Sequence, residues 1–86
     1  MAPYDPNKIQ IDLSAYKHGI PEPDIRHALT HPLMIVPTED DGFTMVVEPA
    51  RSGELIEIGL VRDRMGIGVV HAMVARRRFL KGWLVP

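Results

Sequence analysis

The chain has no cysteine among its 86 residues, which excludes disulfide staples and thiolate metal sites and fits a reducing compartment. No apolar run approaches the roughly 18 residues needed to cross a bilayer. Residues 1–8 hold Asp5 and two prolines and lack the apolar stretch of a secretory leader. The expectation is therefore a cytoplasmic protein with no membrane partner. A Walker phosphate loop, a GxGxxG turn and a nucleophile elbow are missing as well, and Ser52-Gly53 reads as turn chemistry. There is no internal repeat and no low-complexity segment.

A chain this short makes one domain, 1–86, and buries only about 60–65% of the surface that its unfolded form exposes. Such small cores usually need a staple, a metal or a partner chain. With disulfides excluded, a partner is the natural supplement, either a second copy in a homodimer or another protein.

The net charge is −1, but its two signs are segregated. Residues 1–60 carry four Lys and Arg against ten Asp and Glu, whereas residues 61–86 carry six Lys and Arg against Asp63 alone. That asymmetry points to a C-terminal surface for a polyanion or an acidic partner, with a solvated basic tail as the plainer alternative.

Local patterning gives a loose arm over 1–7 and then a strand over 8–13, where Ile9, Ile11 and Leu13 alternate with Gln10 and Asp12. Ser14 is placed to cap a short helix over 15–18, which Gly19 ends. A second helix begins at Pro23, with Glu22 and Asp24 complementing its positive end. Its buried stripe is Ile25, Ala28 and Leu29, and Pro32 stops it near His31. The period then becomes two. Strands are expected over 33–36, 43–48, 55–61 and 67–73, joined by turns at Glu39-Asp40-Asp41-Gly42, Pro49-Ala50-Arg51-Ser52-Gly53 and Asp63-Arg64-Met65-Gly66. Loops this short require antiparallel pairing. The expected fold is α+β: an N-terminal strand and two short helices followed by a four-stranded antiparallel meander. Residues 74–86 form a basic, then apolar, tail containing Phe79, Leu80, Trp83 and Leu84.

Four histidines carry most of the possible chemistry. His27 and His31 lie four apart on a helix, the spacing of a zinc pair. No glutamate stands between them and no third ligand is fixed by spacing, so neither a metal nor another cofactor is expected. His71 lies just before Arg76, Arg77 and Arg78. An imidazole moves protons near neutrality and guanidinium groups hold phosphate, a combination suited to RNA cleavage through a 2′-hydroxyl. A strand histidine bonded to a neighbouring carbonyl is the structural alternative. Lys17, His18 and Arg26 are candidates to face the same substrate, and Arg51 lies in a turn where backbone amides also receive an oxyanion. The plainer reading of each is a solvated polar side chain.

The run Ala15-Tyr16-Lys17-His18-Gly19-Ile20, followed by Asp24-Ile25, Ala28-Leu29 and Pro32, resembles the start of BrnT-like toxins. Arg51-Ser52-Gly53-Glu54-Leu55-Ile56-Glu57 is similar to a hairpin of theirs, and His71-Ala72-Met73 falls at a further short motif. The resemblance spans residues 8–80. It implies a RelE/ParE-like fold and the toxin of a type II toxin–antitoxin pair, cleaving mRNA without a metal and neutralised by a cognate antitoxin. On that reading His71, Lys17 and Arg51 are catalytic, and Arg26, His18, Arg76, Arg77 and Arg78 contact RNA. His71 and Met73 stand where those toxins carry a serine-like residue and an arginine. The alternative is a non-catalytic interaction domain that binds an acidic protein or nucleic acid through the basic segment.

Overall fold

The computed structural model describes residues 8–31, 34–36, 42–64 and 66–77. Its elements are β1 (Gln10–Ile11), a 3-10 turn (Leu13–Tyr16), α1 (Glu22–Leu29), β2 (Met34–Val36), β3 (Phe43–Pro49), β4 (Leu55–Asp63) and β5 (Gly66–Val74). All five strands join one sheet in the order β1-β5-β4-β3-β2. Pairing is antiparallel except between β1 and β5, which run parallel with Gln10 opposite Gly68 and Ile11 opposite Val69.

This corrects the expected architecture. Among the described residues there is one complete α-helix rather than two before the sheet, and the strands form a five-stranded mixed sheet in place of the expected N-terminal strand followed by a four-stranded antiparallel meander. The RelE/ParE-like arrangement drawn from the resemblance falls with it. The physical reasons are local. Leu13–Tyr16 is a single turn, too short to close a ladder of α-helical bonds, and its bonds run to the third residue back (Lys17 N–H to Ser14 O, 3.3 Å). Asp12, not Ser14, is the capping residue and accepts from Ser14 N–H at 2.9 Å. Gly19 closes the turn at φ +82°, where a side chain would be strained. The first strand, only two residues long, has no antiparallel neighbour and docks on the edge of β5.

α1 begins at Glu22, with Pro23 in its first turn, and ends at Leu29. Its stripe of Ile25, Ala28 and Leu29 is fully buried. These side chains and Ala15 pack on Val46, Ala50, Ile56, Ile58, Leu60, Val69 and Ala72, which lie on one face of the sheet, the core face. Among the described residues no helix is long and apolar enough to cross a membrane. Val74 belongs to β5, so the expected tail from 74 starts later. The arm 1–7, the turn residues Glu39, Asp40, Asp41 and Met65, and the tail from Arg78 onward lie outside the described residues.

A bulge in β5 orients the other face. Leu60 pairs with Val69 and Gly59 with His71, so Val70 opposes no residue. The Val70 carbonyl accepts from the Ser14 hydroxyl at 2.8 Å, and the Val69 carbonyl from Asp12 N–H at 2.8 Å. Strict alternation from Val69 would place His71 on the core face. The extra residue instead puts Ala72 in the core and turns His71 to the outer face, opposite Gly59.

Candidate functional site

The outer face brings Glu57, His71 and Arg76 together. Glu57 lies on β4 between the inward Ile56 and Ile58, so the pleat sends its side chain outward, where it has no exposed surface. A buried carboxylate needs partners for both oxygens. Oε2 lies 2.8 Å from His71 Nε2 and 2.7 Å from Arg76 Nη2. Oε1 accepts from Arg76 N–H at 2.9 Å and from Arg76 Nε at 3.0 Å. Burial alone would raise the Glu57 pKa, but the hydrogen bonds from Arg76 and His71 and the guanidinium charge outweigh it. They hold the carboxyl below its ordinary value.

With its Nε2–H donated to the Glu57 carboxylate, the neutral His71 ring carries its lone pair on Nδ1. Its side chain is 25% exposed. The His18 ring stands edge-on to it, with centroids 5.5 Å apart and planes at 73°. Lys17, beside His18 at the end of the 3-10 turn, is exposed. Room for the imidazole comes from Gly59: a Cβ there would lie 3.0 Å from His71 Cβ and 3.1 Å from Phe43 Cζ.

The remaining sequence candidates sit elsewhere. Arg51 turns toward α1, where its Nε donates to Asp24 Oδ1 at 2.7 Å, and this bond holds the Asp24 carboxyl below its ordinary value. Arg26 pairs with Glu22 at 2.9 Å and donates to the Ile9 carbonyl at 3.1 Å. Neither is brought to the His71 face. Arg76 reaches the site as the clamp on Glu57, Arg77 is exposed beside it, and Arg78 is outside the described residues. His27 and His31 stack with centroids 4.4 Å apart, and His31 Nδ1 lies 2.9 Å from the His27 carbonyl. Among the described residues no group of three or more His, Asp and Glu is arranged to hold a metal ion.

A cleft of about 650 Å³ opens between β1, α1 and the bulged end of β5, lined by Lys8, Ile9, Arg26, Asp63, Val69 and Val70 among others. His71, His18 and Glu57 do not line it. The groups able to exchange protons converge on the outer face instead, so that face is the stronger candidate.

Sequence reasoning singled out His71, His18 and Arg76 but missed Glu57. The available signal was the alternation of β4, which sets a carboxylate on the face opposite Ile56 and Ile58. Comparison with protein families, curated proteins and solved structures returns no match. The likeness to BrnT-like toxins rests on the short segments quoted above.

Proposed function

We propose that this chain is a metal-independent endoribonuclease, the toxin of a toxin–antitoxin pair, in which His71 and His18 share the proton transfers. The observation that carries the reading is the His71 imidazole, held by its Nε2 on the Glu57 carboxylate at 2.8 Å, partly open to solvent and beside a second imidazole. In the reaction His71 Nδ1 takes the proton of an RNA 2′-hydroxyl, whose oxygen attacks the adjacent phosphorus. The P–O5′ bond breaks, and protonated His18 gives its proton to the departing 5′-oxygen. The products are a 2′,3′-cyclic phosphate and a free 5′-hydroxyl. Glu57 stabilises the imidazolium formed on His71 and fixes its tautomer, and Arg76 keeps Glu57 ionised. Lys17 and Arg77 are the cations available to the phosphate. A single placed acid–base group contributes roughly 10²–10⁴-fold.

This reading brings RNA and a cognate antitoxin as partners and a cytoplasmic setting. A homodimer is compatible with it. The test is expression in a bacterium, alone and as His71→Ala, followed by RNA cleavage in excess chelator. The wild type arrests growth and leaves 2′,3′-cyclic phosphate ends, and His71→Ala does neither while keeping its fold. A fully toxic His71→Ala, or a wild type that neither slows growth nor cleaves RNA even with ribosomes, overturns the reading. The self-contained bonding of Glu57 to Arg76 and His71 would then serve a non-catalytic interaction domain.

A further inference from the structure

Glu48 on β3 is the one described side chain that breaks the rule satisfied by Glu57. It has no exposed surface, and neither carboxyl oxygen has a hydrogen-bond partner. It stands two residues from Val46 and two from Ala50, both members of the cluster beneath α1, so the pleat sends it to the core face. The helix meets that face with Ile25, Ala28 and Leu29, none of which can accept or donate a side-chain hydrogen bond.

The charged groups around this seam are engaged with one another. On α1, Glu22 pairs with Arg26, Asp24 with Arg51 of the β3–β4 turn, and His27 stacks on His31. Glu57 on β4 is bonded to Arg76 and His71 on the outer face, Glu54 is exposed, and β2 carries no titratable side chain. None of them bonds Glu48.

We propose that Glu48 is a proton-dependent latch for α1: as an uncharged acid it lets the helix lie on the sheet, and as a carboxylate it drives the helix off. Burial pushes the Glu48 pKa up from 4.5 to about 8, with no neighbouring charge contributing. Opening the seam returns the group to water and to its ordinary value. The closed form therefore binds more protons than the open form between these two values, and docking weakens as pH rises through that window. Below about 4.5 the acid is neutral in both forms, and above about 8 it is ionised in both. Within the window the opening equilibrium changes about tenfold per pH unit. The latch is independent of the RNA-cleaving reading, because it lies on the opposite face.

Hydrogen exchange of the whole chain tests it, with rates corrected for the intrinsic pH dependence of exchange. The amides of Ile25, Ala28 and Leu29 should lose protection by about tenfold per unit between pH 5 and 8. The amides of Ile58 and Ala72, in the centre of the sheet, should change much less. Glu48→Gln, neutral at every pH, should flatten the α1 profile. If that variant does not fold, the wild-type profile decides alone. PH-independent protection of α1 overturns the latch, as does an unchanged slope in folded Glu48→Gln. An equal slope at Ile58 and Ala72 overturns the opening of α1 as a separate event.

Discussion

Glu48 on β3 and Glu57 on β4 occupy adjacent rungs of one hairpin, since Glu48 pairs with Ile56 and Val47 with Glu57. Neither exposes any surface, and their side chains leave opposite faces of the sheet. Glu57 meets a guanidinium, a backbone N–H and an imidazole, and its carboxyl is held below its ordinary value. Glu48 meets an apolar helix, and its carboxyl is pushed up to about 8. Glu48 lies deeper beneath the surface than Glu57, and it also lacks the partners that hold Glu57 ionised, so depth and partners together set the charge. The face with partners holds a carboxylate that can orient His71. The face without them holds a neutral acid, whose contribution to the packing weakens as pH rises from about 4.5 to about 8.

The largest effect that would sharpen this contrast is Glu57→Ala. It removes the common acceptor of Arg76 and His71, which both reach solvent, so the loss is that of charge-assisted hydrogen bonds, about 1.5–3 kcal/mol. Urea unfolding should show that loss. A cost under 1 kcal/mol would mean that the cluster is solvated, not buried. The pH dependence has the reverse sign from that of Glu48. A carboxyl lowered in the fold adds stability above its unfolded value, and this stability is lost as pH falls through the folded one.

Glu48→Met should act the other way. It replaces an orphaned acid with an apolar side chain of similar length, and relief of an unsatisfied buried polar group is worth about 1–3 kcal/mol. Unfolding at pH 8 should show that gain, and a smaller one at pH 5, where the wild-type acid is neutral. A loss of stability at both pH values would mean that the acid has a partner in solution. Gly59→Ala should have a smaller effect, at the low end of the about 1–3 kcal/mol that overpacking costs, since the Phe43 ring can shift while the His71 Cβ moves only with its backbone. Its sharper readout is the His18–His71 contact, which should loosen in NMR spectra while the core-face signals stay in place.

Parts of this arrangement were legible in the sequence. The start of α1 at Glu22 and Pro23 and its stripe of Ile25, Ala28 and Leu29 follow from end preferences and the 3.6-residue period. The β3–β4 turn follows from Pro49 to Gly53, where Gly53 takes φ +91°. Less could be read where long-range contacts decide. The parallel pairing of β1 with β5 joins residues 58 apart in the chain and leaves no local signature. The bulge at Val70 is held by Asp12 and Ser14, so the facing of His71 depends on a segment far away in sequence. Alternation in β3 groups Val46 and Glu48 against Met45 and Val47 without saying which pair meets the helix. The glutamate makes the second pair look buried, yet Val46 and Glu48 are the ones beneath α1. A local pattern can therefore suggest a face that the tertiary packing reverses.

The account stands on opposite charge states for two buried carboxyls in one hairpin, and carbon-13 NMR of glutamate-labelled protein reads both at once. Across pH 3 to 9 in the folded chain, the Glu57 carboxyl signal should already be that of an ionised group at pH 5 and move only at the acid end. The Glu48 signal should stay that of a neutral acid past pH 7 and shift with a midpoint of about 8. Two signals titrating together in the ordinary carboxylate range would contradict the account.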